Sequence, residues 1–370
     1  MLRVGVIGPT FPPIEGIARV AKRVEEKNYD SIWFPDHLMG WFPQSIWTPG
    51  TVGLLATYSP HTFFETTLSI AVAASATQKI RIGSAVTEAI RHQPAMLAQS
   101  YATLEHLSNG RVILGIGAGE LENVEPYGLR YEKVVSRLEE AVKVIKLLWR
   151  AKRNELINFD GKFFKLKDAV FELPPLKKRP PIWIGGAGKK ICKITARYAN
   201  GWLPANLDIH EYTQRLDIIK DECNKIGRNF EEIERGIYLP IIIDENRDEC
   251  LRLIETAPII KAGALLAPYT TYAKFGHTHP LGENFYPLTD YVPARYTREE
   301  VLKAIENVPV EVIQEYFLWG SVEDIIEKLD GYRKAGVQTV VFWNFTFLGD
   351  TAKIKSSYSC IDKVVDYFKE

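Results

Sequence analysis

The feature that most restricts what this chain can fold into is a regular alternation of short apolar runs with helical stripes. Eight runs, near residues 4, 32, 82, 113, 183, 202, 239 and 341, suit strands covered on both faces. Helical patterns follow nearly all of them. Ile17, Val20, Ala21 and Val24 share one face after the first run, and Leu138, Ala141, Val142, Ile145 and Leu148 share one after the fourth. Eight β/α units predict an α/β protein with one closed (β/α)8 TIM barrel, an open doubly wound sheet being the alternative. No Gly/Ser-rich linker divides the chain, so residues 1–370 read as a single domain. Three stretches are too long for ordinary connections: 36–61 after strand two, 151–180 after strand four, and about 245–300 after strand seven. They are expected to be lids or added structure, and the alternation around a DG turn in NFDGKFFKLKDAVF predicts a hairpin.

Charge and cysteine content remove several function classes. The 46 basic and 46 acidic residues cancel, leaving no sequence-wide field for nucleic acid or an anionic membrane. Cys192, Cys223, Cys250 and Cys360 lie far apart and form no CxxC pair, so no zinc or iron–sulfur site is expected. No window has the ~18 apolar residues of a membrane span. The opening MLRVGVIGPT lacks a leader pattern, so a cytoplasmic location is expected.

In a parallel barrel the chemistry collects at the carboxyl ends of the strands. Strand two ends in FPDHLMGW, which puts Asp36 and His37 at the mouth with Trp41 close behind. A histidine transfers protons near neutral pH, and a neighbouring carboxylate can fix its tautomer; a helix cap beside a surface imidazole is the bland alternative. Strand four ends in GIGAGELENVEPYG. Its glycines do not have the spacing of a nicotinamide fingerprint, but they allow a flat ligand close to the backbone, with Glu120 or Asn123 as a directional contact. Strand five runs through IGGAGKK into a helix whose N-terminus suits a phosphate. His277 and His279 lack a third ligand at any metal spacing and are expected to be surface histidines.

DHLMGW, GSAVTEAIRHQP, GIGAGELEN and PIWIGGAGKK, in this order from residue 3 to about 345, resemble the luciferase-like barrel superfamily, in particular its branch using the deazaflavin coenzyme F420. Within it, PQSIW, EPYG and HPLGENF resemble the phthiodiolone ketoreductase group. The resemblance implies hydride transfer, with His37 and Glu120 as catalytic residues. It implies a cofactor site formed by Asp36, Trp41, Ser84, Ala85, Val86, Gly119, Asn123, Gly185, Gly186, Ala187 and Gly188. It further implies a non-proline cis peptide at Ala85–Val86, with Ser84–Ala85 as the next choice, and a homodimer. Two departures stand out. Several relatives carry a glutamate after strand one, where this chain reads GPTFPP, and the basic residues that hold a sugar phosphate find no match.

The expectation is therefore an oxidoreductase moving hydride between F420 and a small organic molecule, a ketone/alcohol pair or a methylene-tetrahydropterin. An FMN-dependent monooxygenase and a non-catalytic flavin-binding protein are the rivals.

Overall fold

A computed structural model describes residues 1–369. All eight anticipated strands form: β1 (Arg3–Ile7), β2 (Ser31–Phe34), β3 (Arg81–Ser84), β4 (Val112–Gly117), β5 (Ile182–Gly185), β6 (Gly201–Leu203), β7 (Glu234–Ile243) and β8 (Thr339–Asn344). Each pairs in parallel with its neighbour, and β7 joins both β6 and β8, so the sheet closes as a (β/α)8 barrel. Helices Glu15–Glu26, Pro94–Leu107 and Val134–Leu148 stand where the apolar stripes placed them. The last buries Leu138, Ala141, Val142, Ile145 and Leu148 in the main apolar core, the Leu, Val and Ile side chains each contributing about 1.5–3 kcal/mol of transfer free energy.

The barrel interior is filled by side chains. Trp33 of β2 and Trp183 of β5 meet across it with ring centroids 5.3 Å apart. Glycines make room for them: a Cβ on Gly83 would lie 2.5 Å from the Trp33 ring, and one on Gly201 2.4 Å from Trp183. At the amino-terminal end Arg81 binds Asp30 at 2.5 Å and Glu234 at 2.9 Å, while Arg3 binds Glu234 at 2.8 Å. These charges begin the strands, so they seal the end opposite the mouth.

The long insertions are ordered. Residues 151–180 carry the expected antiparallel hairpin, Ile157–Asp160 with Lys165–Ala169. The third insertion is more extensive than 245–300. It is a set of short helices running on to Val310–Tyr316, followed by a short strand, Leu318–Gly320, added beside β7. Ile254, Ile259, Ile260, Ile313 and Phe317 form a second apolar core there, and Phe42, Ile46 and Val52 of the first insertion dock on it. The two insertions thus pack together as one cover instead of lying as separate loops. His279 is a correction to the sequence reading: it is buried in this cover, with its Nε2 bonded to the Leu265 carbonyl and its Nδ1 accepting from Leu281 N–H. His277 is the exposed one, paired with Glu311. Among the described residues no helix is long and apolar enough to cross a membrane.

Candidate active site

The chain leaving β2 and the chain leaving β4 meet at the barrel mouth. His37 is buried there; its Nε2 lies 3.6 Å from Glu120 Oε2, and its ring sits edge-on to Trp41 with centroids 4.3 Å apart. The Trp41 indole N–H donates to the same Glu120 oxygen at 3.2 Å. His37, Trp41 and Glu120, which the sequence places after β2 and β4, are therefore brought together at the mouth.

Asn123 sets the histidine's state. Its Oδ1 accepts from the Leu38 and Met39 backbone amides, at 2.7 and 2.9 Å, which fixes the orientation of its amide group. The Nδ2 must then face His37 Nδ1, 2.8 Å away, and only a deprotonated Nδ1 can accept from it. The proton of neutral His37 is thereby assigned to Nε2, on the side of Glu120 and Trp41. On protonation the nearby Met39 carbonyl, 3.1 Å from Nδ1, is available as the acceptor.

Asp36 behaves differently from the sequence reading. Its carboxylate does not hold the His37 ring; it accepts from Thr87 at 2.5 Å and pairs with His92 at 2.8 Å and Arg91 at 3.4 Å. Burial pushes its pKa up, but the His92 hydrogen bond and the Arg91 charge outweigh that and hold it at about 2. His92 is raised despite its own burial, because Asp36 stabilises its cation. The physical reason for the switch is direction: the carboxylate of Asp36 faces the β3 exit, whereas the His37 ring faces β4.

The next residues form a floor. The Ala85–Val86 peptide is cis, at the first of the two positions implied by the resemblance. Val86 reaches over the ends of β4 and β5, where a Cβ on Gly117 would lie 2.8 Å from its Cγ2 and one on Gly185 3.0 Å. Ser84 contributes no side chain to the mouth; its hydroxyl donates to the Gly115 carbonyl and accepts from Tyr101. Gly119, at φ +86°, turns the chain toward Glu120, and its carbonyl accepts from the Tyr131 hydroxyl. Gly186, at φ +99°, turns the chain after β5, and Trp202 pins its carbonyl with a 2.9 Å bond. Gly188 then caps helix Lys189–Tyr198 with no side chain bonded to the first-turn amides, and a Cβ there would meet nothing within 4 Å.

A cavity of about 380 Å³ opens beside His37, lined by Asp36, Leu38, Phe63, Arg91, His92, Tyr127 and Leu129. A separate hollow of about 310 Å³ at Met1, Asp330 and Phe368 lies at the amino-terminal end, away from this chemistry. Four polar partners escaped the sequence reading: Thr87, Arg91, His92 and Glu122. The first three stood in the quoted GSAVTEAIRHQP segment, where an alternation of charge was the available signal. Glu122 is buried beside Glu120, in the same GELEN turn. His37, Glu120 and Glu122 bring polar atoms within 4.8 Å of one another. Asn123 already engages both His37 and Glu122, so the cluster is a hydrogen-bonded network and no metal is assigned to it.

The family model described as luciferase-like monooxygenase matches residues 3–339. The chain belongs to the luciferase-like family. As a member it is an oxidoreductase. A phthiodiolone/phenolphthiodiolone dimycocerosates ketoreductase of Mycobacterium tuberculosis is 34% identical over 320 residues, spanning 85% of this chain and 84% of that one. An F420-dependent glucose-6-phosphate dehydrogenase of Amycolatopsis mediterranei is 25% identical over 352 residues, 92% of each chain. Among solved structures, an F420-dependent secondary alcohol dehydrogenase superposes with a TM-score of 0.73 at 20% identity, covering 96% of this chain and 99% of that one. The F420-dependent tetrahydromethanopterin reductase of Methanopyrus kandleri gives 0.71 at 19% identity, covering 94% and 97%. Both structural likenesses bear on the fold.

Proposed function

We propose that this protein transfers hydride between coenzyme F420 and an organic ketone/alcohol pair. The observation that carries the reading is the convergence of His37 Nε2, the Trp41 indole N–H and the Glu120 carboxylate on one point of the mouth, next to an apolar floor formed by Val86 over Gly117 and Gly185. The relatives named as ketoreductase and as F420-dependent dehydrogenase support the choice of cofactor and substrate class.

The residues fit that cofactor. A flat ring needs an apolar floor, which Val86 over Gly117 and Gly185 offers, and a phosphodiester suits the open, uncapped amides after Gly188. Bound F420 would supply the hydride when reduced, and its oxidised form would accept one from the alcohol. His37 would donate its Nε2 hydrogen to the substrate oxygen, which gains negative charge as the ketone is reduced. Asn123 keeps that hydrogen in place, and Glu120 is the acid–base group within reach of it. Trp41 closes one side against water and orients Glu120. In the alcohol-to-ketone direction the same groups receive the proton.

The four buried, unpaired thiols suit the reducing cytoplasm. The uncharged helix Thr66–Ala76, with Leu68 65% exposed, is the face that would join two copies in a homodimer. His37→Ala tests the assignment: F420 binding should persist while ketone turnover falls at least about tenfold. Undiminished turnover would remove His37 from the mechanism.

A further inference from the structure

Glu122 has no part in the reaction as described, yet it is 1% exposed, bonded through Oε1 to Asn123 Nδ2 at 3.3 Å, and packed against the Glu120 carboxyl. Two carboxylates in such contact repel each other unless one keeps its proton. We propose that Glu122 is a positioning residue for Glu120, donating one hydrogen bond as a neutral carboxylic acid so that the pair carries a single negative charge. This rests on the hydride-transfer reading for its consequence in catalysis, not for the protonation itself.

The surroundings decide which acid keeps the hydrogen. Glu120 faces two donors, the Trp41 indole N–H and the His37 Nε2–H, and both favour its anion. Glu122 faces the Asn123 side-chain amide, in a long 3.3 Å bond, and its own backbone N–H, and it lies deeper, so burial outweighs both. The groups facing it are Glu120, His37 beyond Asn123, the Arg91 guanidinium, and the hydroxyls of Tyr127, Tyr131 and Tyr291. Arg91 favours ionisation, but it is already bound to Glu88 at 2.7 Å and to Asp36. Burial, and after it the Glu120 charge, raise the Glu122 carboxyl well above the ordinary range. A neutral Glu122 thus fills one Glu120 lone pair and leaves Oε2 turned toward Trp41 and His37.

The test compares Glu122→Gln, which keeps a neutral donor, with Glu122→Leu, which removes it. Infrared spectra of the cofactor-free protein at neutral pH should show the carbonyl stretch of a buried protonated carboxyl in the wild type. That band should be missing from both variants. The Trp41 indole N–H resonance should move in Glu122→Leu and stay near its wild-type position in Glu122→Gln. In turnover, Glu122→Leu should lower kcat about tenfold with KM little altered, and Glu122→Gln should recover most of that loss. The wild type should also lose activity at high pH as Glu122 ionises, a limb that Glu122→Gln lacks. Absence of the band in the wild type, or its survival in Glu122→Gln, overturns the proposal whatever the cofactor is. If the spectra behave as expected but no ketone is turned over, the proton assignment stands and the hydride-transfer reading is what fails.

Discussion

Removing the Asn123 side chain should separate the two things it does. Asn123 is 2% exposed and makes four hydrogen bonds, to the Leu38 and Met39 amides, to His37 Nδ1 and to Glu122. Asn123→Ala strands two backbone N–H groups, at about 1–3 kcal/mol each unless water replaces the amide. A total of about 2–6 kcal/mol corresponds to a Tm lower by roughly 3–8 °C for a chain of 370 residues. It also frees the loop carrying His37, and a displacement of the order of 1 Å at a reacting group costs about 100-fold in rate. Asn123→Asp keeps the acceptor for the two amides but offers His37 Nδ1 an acceptor in place of a donor. Nitrogen NMR of His37 should then show the hydrogen on Nδ1, with smaller loss of stability than in Asn123→Ala. The assays are thermal unfolding, imidazole 15N shifts and ketone-dependent kcat. If Asn123→Ala left the His37 spectrum and kcat at wild-type values, the reasoning about the tautomer would be refuted.

Two further outcomes are expected. Gly188→Asp should weaken F420 binding at least about tenfold by setting a carboxylate where the phosphodiester would lie, yet leave stability unchanged or a few tenths of a kcal/mol higher, because Asp is a good N-cap; fluorescence titration and urea unfolding read the two effects. His279 is depressed to about 4 by burial, so the unfolded chain takes up a proton below about 6.5 that the folded one refuses. Its stabilising contribution is complete above that pH and is lost as pH falls toward 4, roughly 3 kcal/mol in all. Urea midpoints between pH 7 and 4 should decline less steeply in His279→Phe than in the wild type.

The barrel was readable because the strands sit in short, mostly apolar runs and helices such as Glu15–Glu26 and Val134–Leu148 carry a stripe of period 3.6. The strand Leu318–Gly320 was not, since three residues carry no period, and it forms only because β7 extends ten residues and leaves an edge there. His37, Trp41 and Glu120 were legible from their place after β2 and β4. The partners of Asp36 and Asn123 were not. Asp36 reaches His92, 56 positions on, and Asn123 reaches the Leu38 amide 85 positions back. Such bonds depend on how loops from different strands turn over the mouth, and local spacing holds no record of that. His279 was misread for a related reason: it becomes buried only once the third insertion folds over it, with Tyr272 and Phe285 against its ring.

The central claim is hydride transfer with F420, and mixing the purified protein with reduced F420 and a panel of ketones tests it most directly. The expected result is ketone-dependent oxidation of F420 without oxygen consumption, lost in His37→Ala. Failure to bind F420, or oxygen uptake with reduced FMN under the same conditions, would contradict it.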